Sequence, residues 1–226
     1  MVYQAPKVIS VSIAPTFKRF SAFVLDNQSQ LSPKVFAEEF GKIQRHYMIE
    51  KQCDAFCSEA DGLAAKLVEQ KNNDFAGIIM SALCKLTEFM PNQLEKFAMK
   101  GYEIAKANGD PVHMMARLND LRKVYYRRPE KLYQYIQVLY KQEKCLKELT
   151  NHYETLSETH KTVTRRLAPK KDYKQMLAHV QTEIGKLTKK KHPQDAQKKL
   201  LSAREIFESR GNKQNVQYID MLLREI

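Results

Sequence analysis

Few residues of this chain have the types and spacing that catalysis needs. Asp110 and His113 stand three residues apart, and Glu148 and His152 stand four apart. On a helix, either spacing puts a carboxylate and an imidazole on one face, as acid–base chemistry or half of a metal site would require. Metal sites in helical bundles need matching pairs and a Glu-x-x-His step, and neither is present. Asp110 also fits a helix cap, so we expect no catalytic residue, metal or cofactor.

The four cysteines predict a structural role. Cys53 and Cys57 would share a helix face, but no second ligand pair follows at zinc-site spacing. All four stand within apolar helical patterns, and no export signal is evident, which predicts reduced, buried thiols in a cytoplasmic protein. The chain also lacks the motifs of phosphate loops, dinucleotide-binding turns, serine hydrolases and zinc proteases. We therefore expect a protein that acts by binding.

Positive charge is the strongest chemical signal in the sequence. The formal net charge is +12, and residues 161–199 hold twelve Lys or Arg against three Asp or Glu. Such an excess attracts phosphate polymers, acidic proteins or anionic lipid surfaces. One interpretation is nucleic-acid binding that tolerates sequence and weakens steeply with salt; the other is a solvated face that keeps the protein soluble. We name as the basic set Arg165, Arg166, Lys170, Lys171, Lys174, Lys189, Lys190 and Lys191.

A smaller group of tyrosines and cations precedes and opens the longest predicted helix. Helical phase places Tyr125 and Tyr135 toward the core, which leaves Tyr126, Arg127 and Arg128 on the surface. Tyrosine and arginine are enriched at the energetic centres of protein interfaces, and both also stack on nucleic-acid bases. The three surface residues are therefore candidate partner-binding residues.

Apolar periodicity predicts an all-α fold of antiparallel helical hairpins. Only 7 glycines occur, and apolar residues recur at three- and four-residue steps between turn signals. Ser32-Pro33, Asn108-Gly109-Asp110-Pro111 and Gly211-Asn212 are the clearest helix boundaries. Asp61-Gly62 is a weaker point at which two helices would divide. No apolar run approaches the roughly 20 residues that a transmembrane helix needs.

The segment 129–168 predicts one long helix, because it holds no Gly, has no Pro after its first residue and keeps a heptad seam. The seam positions are Leu132, Tyr135, Leu139, Gln142, Leu146, Leu149, Tyr153, Leu156, His160, Val163 and Leu167. A helix of this length would reach on the order of 60 Å, so other helices or a second chain must cover its stripe. The stripe is thus either an internal core or the seam of a coiled-coil homodimer.

The first 31 residues differ in kind from the rest. Ile9, Val11 and Ile13 alternate with serines in a strand-like pattern, and one strand cannot stand alone. We expect an extended N-terminal arm that lies on its own domain, pairs with a partner or orders on binding. The predicted organisation is this arm at 1–31, a helical-hairpin domain at 32–128, the long helix at 129–168, and a basic C-terminal helical segment with a terminal hairpin at 169–226.

Small and aromatic residues recur at hairpin positions in two segments, 75–135 and 194–226. In the first segment Ala98, Tyr102 and Ala105 precede Pro111, and the next helix then begins with Leu118, Leu121 and Tyr125; in the second, Ala203 and Phe207 precede the turn at Gly211-Asn212. This spacing resembles that of tetratricopeptide repeats, in which such residues let paired helices approach closely. The resemblance implies a non-catalytic superhelical or bundled scaffold that binds peptides or other proteins on a concave face.

Taken together, these patterns predict a cytoplasmic all-α interaction protein. Its expected partner is another protein, which makes it a scaffold or adaptor. The alternative is a sequence-nonspecific nucleic-acid-binding accessory protein that uses the basic segment 161–199. Reversal of Arg165, Arg166, Lys170 and Lys171 to Glu separates the two hypotheses, because a scaffold with its groove elsewhere keeps its partner and a phosphate binder loses nearly all affinity.

Overall fold

The computed structural model describes residues 17–126, 128–152 and 172–226. Within these ranges the chain forms ten α-helices and two short 3₁₀ helices, which confirms the predicted all-α class. The α-helices are α1 (Phe17–Asp26), α2 (Pro33–Ile49), α3 (Cys53–Glu69), α4 (Asn73–Leu86), α5 (Pro91–Ala107), α6 (Pro111–Tyr126), α7 (Leu132–His152), α8 (Tyr173–Thr188), α9 (Pro193–Glu208) and α10 (Lys213–Leu223). The 3₁₀ helices cover Gln28–Gln30 and Pro129–Lys131. Of the helices in these ranges, none is long and apolar enough to cross a membrane.

Local sequence sets most helix boundaries. The Ser32 hydroxyl accepts a backbone hydrogen bond at 3.2 Å and caps α2, as predicted. Gly109 has φ +62° between α5 and α6, a left-handed conformation that suits glycine at a helix end. Asp110 then caps α6, because its Oδ1 accepts the backbone N–H groups of Val112 and His113, each at 3.0 Å. The predicted capping role of Asp110 is thus confirmed.

The chain divides into two compact units, Met1–Leu83 and Cys84–Ile226, which we name unit 1 and unit 2. The boundary lies inside α4, a helix that the sequence pattern placed within a single domain. In unit 1, α3 packs against both α1 and α2. Six buried phenylalanines fill the core of this unit: Phe17, Phe20, Phe36, Phe40, Phe56 and Phe75.

Helix α1 corrects the N-terminal prediction. Residues 17–26 are helical, so the extended arm predicted over 1–31 is wrong for this part, and residues 1–16 lie outside the described residues. Phe17, Phe20 and Val24 are at most 2% exposed. Their spacing of three and four residues places them on one helix face, so packing on α3 favours a helix over an extended strand.

Helix α3 runs unbroken through Asp61-Gly62, so the division predicted there is wrong. The neighbouring Ala60 and Leu63 are only 0% and 2% exposed. Their burial outweighs the roughly 1 kcal/mol that a glycine costs in a helix interior. The break instead follows α2, where Lys51 adopts a left-handed φ of +57°.

Helix α7 is the described part of the predicted long helix; the seam from 153 to 167 lies outside the described residues. Leu132 is 47% exposed. The next seam positions are at most 3% exposed, namely Tyr135, Leu139, Gln142, Leu146 and Leu149. Because α6 and α8 pack against α7, this part of the stripe is an internal core and is closed to a second chain. A homodimer through the remaining seam stays a prediction.

Unit 2 is a sequential array of helices. Helix α5 packs against α6, α6 against α7, α7 against α8, α8 against α9, and α9 against α10, as antiparallel neighbours. The residues that carry the resemblance to hairpin repeats are buried within this array: Ala98, Tyr102, Ala105, Leu118, Leu121, Tyr125, Ala203 and Phe207. The predicted packing of helices as hairpins is therefore confirmed.

Candidate partner-binding groove

The helices of unit 2 lie in two layers. One layer holds α5, α7 and α9: Lys141 Nζ of α7 lies 4.8 Å from the ring centre of Tyr102 on α5. On the other side of α7, Tyr140 Oη donates to Asp195 Oδ2 of α9 at 2.7 Å. The second layer holds α6, α8 and α10, because an ion pair joins α6 to α8 and one cleft is lined by α8 and α10 together.

An open cleft of about 760 Å³ lies along α6, and we name it the α6 cleft. Its charged lining residues are Lys85, Glu88, Arg117, Asp120, Arg122, Lys123 and Glu183. Lys123 Nζ pairs with Glu88 Oε1 at 2.7 Å, and Arg117 pairs with Asp120 at 3.4 Å. Arg122 bonds Glu183. Three of the four cations of this cleft are therefore neutralised by carboxylates of the same lining.

A second cleft of about 310 Å³ lies between the α6–α7 turn, α8 and α10, and we name it the tyrosine cleft. Its aromatic lining residues are Tyr125, Tyr126, Tyr135, His179 and Tyr218. Burial, and then a hydrogen bond to Glu95, raise the pKa of Tyr125; burial and Glu183 do the same for the pKa of Tyr135. Burial and a nearby arginine lower the pKa of His179. At pH 7 the rings of Tyr125, Tyr135 and His179 are therefore neutral.

Tyr126 lines both clefts and joins them into one surface, which we name the groove. Its side chain is 64% exposed, although its ring meets Tyr135 edge-on with ring centres 5.8 Å apart. Tyr135 is 3% exposed, and its hydroxyl donates to Glu183. A buried and hydrogen-bonded tyrosine therefore positions an exposed one, whose free face is open to a ligand.

Behind the groove, a buried carboxylate joins three helices. Glu143 of α7 is 4% exposed, and each of its oxygens lies 2.8 Å from Lys199 Nζ of α9. Gln181 Nε2 of α8 donates to it at 3.2 Å, and Lys147 Nζ lies 2.8 Å away. Burial alone would raise the pKa of Glu143, but the hydrogen bonds outweigh burial and lower the pKa. The ionised carboxylate thus fixes α8 and α9 relative to α7.

The cysteines are placed for packing rather than for chemistry. Cys57, Cys84 and Cys145 are buried, as predicted, whereas Cys53 is half-buried. Cys84 lines the α6 cleft, but burial raises the pKa of its thiol to about 11, so it stays protonated at neutral pH. In the parts of the chain that the structure describes, no group of three or more His, Cys, Asp or Glu side chains is placed to hold a metal ion.

Two of the three predicted partner-binding residues lie in the groove. Tyr126 is exposed, as predicted, and Arg128 lines the tyrosine cleft. Arg128 is half-buried and reaches Glu95 at 3.9 Å, so it is less available than the sequence predicts. Arg127 lies outside the described residues.

The basic set falls into separate places. Its members at 165, 166, 170 and 171 lie outside the described residues. Lys174 lies in the first turn of α8, whereas Lys189 to Lys191 follow the last turn, about 22 Å further along at 1.5 Å per residue. Lys189 pairs with Glu225, and Lys190 and Lys191 are exposed. The described members therefore form no continuous patch, and nucleic-acid binding by the whole set stays a prediction.

Other residues of the groove escaped the sequence analysis. Lys85 and Lys186 look like ordinary lysines in the last turn of a helix, where the helix dipole favours cations. Glu183 stands beside the apolar stripe of α8 without any motif around it. These residues lie far apart in the chain, and only the packing of helices brings them beside Tyr126. The only hint in the sequence is Glu183 itself, because a carboxylate beside a buried apolar stripe often has a specific partner.

No protein-family model and no curated protein matches this sequence. In unit 2, α8, α9 and α10 begin at Tyr173, Pro193 and Lys213, so the helix pair α8–α9 takes 40 residues from its start to the start of α10. Tetratricopeptide repeats have a period of about 34 residues. The resemblance therefore rests on closely packed helix pairs and not on repeat length.

Proposed function

We propose that this protein is a non-catalytic scaffold or adaptor that binds a protein partner in the groove. The observation that carries the proposal is Tyr126, a 64% exposed tyrosine at the junction of two clefts. The energy of protein interfaces concentrates in a few tyrosine, tryptophan and arginine anchors near the interface centre. Tyr126 has this position in the groove, and Arg128 lies at its edge.

The form of the groove supports a macromolecular ligand rather than a small molecule. Sites for small molecules enclose most of the ligand surface, whereas both clefts here are open and share Tyr126 and Glu183 in their linings. A partner peptide that binds along the length of α6 would contact both clefts at once. Tetratricopeptide-like arrays, which the helix pairs resemble, bind peptides on one face of the array, and this supports the same use of the α6, α8 and α10 layer.

A matched pair of tyrosine variants tests the proposal. Tyr126→Ala removes the proposed anchor, whereas Tyr133→Ala removes another tyrosine, 72% exposed, that lines neither cleft. Wild type and both variants are immobilised, and proteins retained from an extract of the source organism are quantified over a dilution series. We expect Tyr126→Ala to weaken retention of the main partner about 30-fold, the effect of losing about 2 kcal/mol at a binding hot spot.

Tyr133→Ala and circular dichroism distinguish the loss of a binding contact from a general loss of structure. Tyr133→Ala is expected to retain the partner like the wild type, and circular dichroism is expected to show the same helix content for all three proteins. If Tyr126→Ala retains the same proteins with the same affinity as the wild type, the groove is not the binding site and the proposal is wrong.

A further inference from the structure

The cations of the groove are of two kinds. Six basic residues line the two clefts, against the three carboxylates of Glu88, Asp120 and Glu183. Four of the six are engaged in ion pairs: Arg117, Arg122, Lys123 and Arg128. The other two, Lys85 and Lys186, are exposed and form no ion pair with any residue that the structure describes. A ligand would therefore meet the formal excess of three positive charges mainly at these two lysines.

Lys85 and Lys186 lie in different clefts. Lys85 lines only the α6 cleft and Lys186 only the tyrosine cleft, while Tyr126 lines both. A ligand that crosses the groove therefore meets a lysine without an ion pair among the described residues, then an exposed aromatic ring, then a second such lysine. The rings of the tyrosine cleft add an apolar surface beside Tyr126. This order of contacts is suited to an acidic group, a large apolar side chain and a second acidic group.

We infer that the partner segment bound in the groove is an acidic peptide that carries an aromatic or large aliphatic side chain between its acidic residues. The inference rests on the proposed function and specifies its ligand. Charge complementarity between an acidic segment and the groove would raise the association rate and the selectivity for such partners. The apolar side chain packs on Tyr126, and its flanking carboxylates bind Lys85 and Lys186.

A peptide fits this groove better than a nucleic acid does. Non-specific nucleic-acid binding needs a run of free cations along a phosphate backbone. Here the lining also holds three carboxylates, which repel phosphates, and four of its six cations are already paired with carboxylates. A peptide backbone carries no net charge, so these carboxylates do not repel it. Only the acidic side chains of the peptide need to reach Lys85 and Lys186.

Selection from a random peptide library tests the inference. Phage that display random 12-residue peptides are selected on the immobilised full chain, and the enriched peptides are synthesised with a fluorescent label. We expect them to be rich in Asp and Glu around a Phe, Tyr, Trp, Leu, Ile or Met. Lys85→Glu/Lys186→Glu is expected to weaken their binding about tenfold or more, and added salt is expected to weaken it as well.

A double variant with the same charge change provides the control. Lys144→Glu/Lys198→Glu reverses two exposed lysines on α7 and α9, in the other layer of the same unit. It is expected to bind the selected peptides within about twofold of the wild type, because these lysines line neither cleft. Circular dichroism checks that both double variants keep the helix content of the wild type.

Several results would overturn the inference. They are a failure to enrich any peptide, enrichment of neutral or basic peptides, or equal loss of binding in the two double variants. A labelled generic RNA that binds more tightly than the peptides, and is lost only with Lys85→Glu/Lys186→Glu, would replace the peptide with a nucleic acid. If Tyr126→Ala abolishes partner retention but the selected peptides are not acidic, the proposed function stands and this inference alone fails.

Discussion

Unit 1 and unit 2 bury different kinds of side chain. In the described part of unit 1, every buried residue is hydrophobic, and Phe36 and Phe75 stack face to face with ring centres 4.4 Å apart. In the described part of unit 2, six polar or charged residues are buried: Thr87, Arg117, Gln142, Glu143, Gln181 and Thr188. Buried side chains thus hold unit 1 by the fit of apolar and aromatic groups, and they hold unit 2 also by buried polar bonds between helices.

The two units fix the positions of their helices in different ways. Apolar contacts in a core are non-directional and depend mainly on buried area and shape. A buried carboxylate such as Glu143 is acceptable only where its donors meet it, because an unpaired buried charge is strongly destabilising. The polar bonds of unit 2 therefore specify the register of α7, α8 and α9, the same array whose α6, α8 and α10 layer bears the groove.

The largest expected effect is in the aromatic core. Phe56 is 0% exposed, and its ring centre lies within 5.8 Å of those of Phe17, Phe40 and Tyr47. Phe56→Ala is expected to lower the free energy of unfolding of unit 1 by about 3–5 kcal/mol. Urea unfolding measures the loss, and hydrogen exchange shows whether α1 to α3 lose protection while α7 to α9 keep it.

Phe89→Ala is the control for this core substitution. Phe89 is 93% exposed, so its loss is expected to change the free energy of unfolding by no more than about 0.5 kcal/mol. A loss of protection spread evenly over both units in Phe56→Ala would contradict the view that the aromatic core holds unit 1 and not unit 2.

A smaller loss is expected from the buried carboxylate of unit 2. Glu143→Gln keeps the side-chain size but removes the charge that Lys199 and Lys147 bind. We expect unfolding of unit 2 to become easier by about 1.5–3 kcal/mol, the usual value of a hydrogen bond to a charged group. Glu205→Gln, at an exposed glutamate of α9, is the control and is expected to be neutral. Equal stability of the two variants would show that the polar bonds do not hold the array.

Two glycine substitutions compare the units in closely packed and open positions. A Cβ at Gly185 of α8 would lie 2.6 Å from Leu200 Cγ of α9, so Gly185→Ala is expected to cost about 1–3 kcal/mol through overpacking. Gly62 lies mid-helix in α3, and a Cβ there meets nothing within 4 Å. Gly62→Ala is therefore expected to stabilise unit 1 by about 0.5–1 kcal/mol. Thermal unfolding checks the opposite signs, and equal signs would refute the close approach of α8 and α9.

The smallest expected effect is a pH dependence confined to unit 2. The pKa of Glu143 is lower in the folded protein than its ordinary value of 4.5. Its contribution to stability is therefore fully present above about pH 4.5 and is lost as the pH falls through the folded pKa. The difference in free energy of unfolding between wild type and Glu143→Gln should narrow as the pH falls. Urea unfolding of both proteins, from pH 6 down to the lowest pH at which they stay folded, measures this difference. A difference that widens in acid would contradict the direction of this pKa shift.

Much of the fold could be predicted because its signals are local. Ser32 and Asp110 cap their helices through bonds to residues two or three positions away, and Gly109 needs only its own backbone freedom. Helix α1 was missed because the burial of Phe17 and Phe20 depends on rings of other helices. The strand-like alternation at residues 9–13 suggests an extended arm, but contacts with distant rings make residues 17–26 helical.

The groove itself was predicted only in part, for a related reason. Tyr126 stood out because a tyrosine next to arginines is conspicuous in the sequence. Lys85 and Lys186 are distant in the chain and resemble other lysines at helix ends, so only the packing of α6 with its neighbours shows that they share a surface with Tyr126. The charge of residues 161–199 was visible from composition, but composition does not place charges on one face.

Photo-cross-linking within cells of the source organism tests directly whether the groove binds a protein at Tyr126. A photoreactive phenylalanine analogue replaces Tyr126 in one variant and Tyr133 in another, both exposed positions of unit 2. If the groove binds the partner, position 126 forms a discrete protein adduct with the partner that Tyr126→Ala fails to retain, and position 133 forms little or none. The same adducts from both positions, or none from position 126, would contradict a role of the groove in binding a protein.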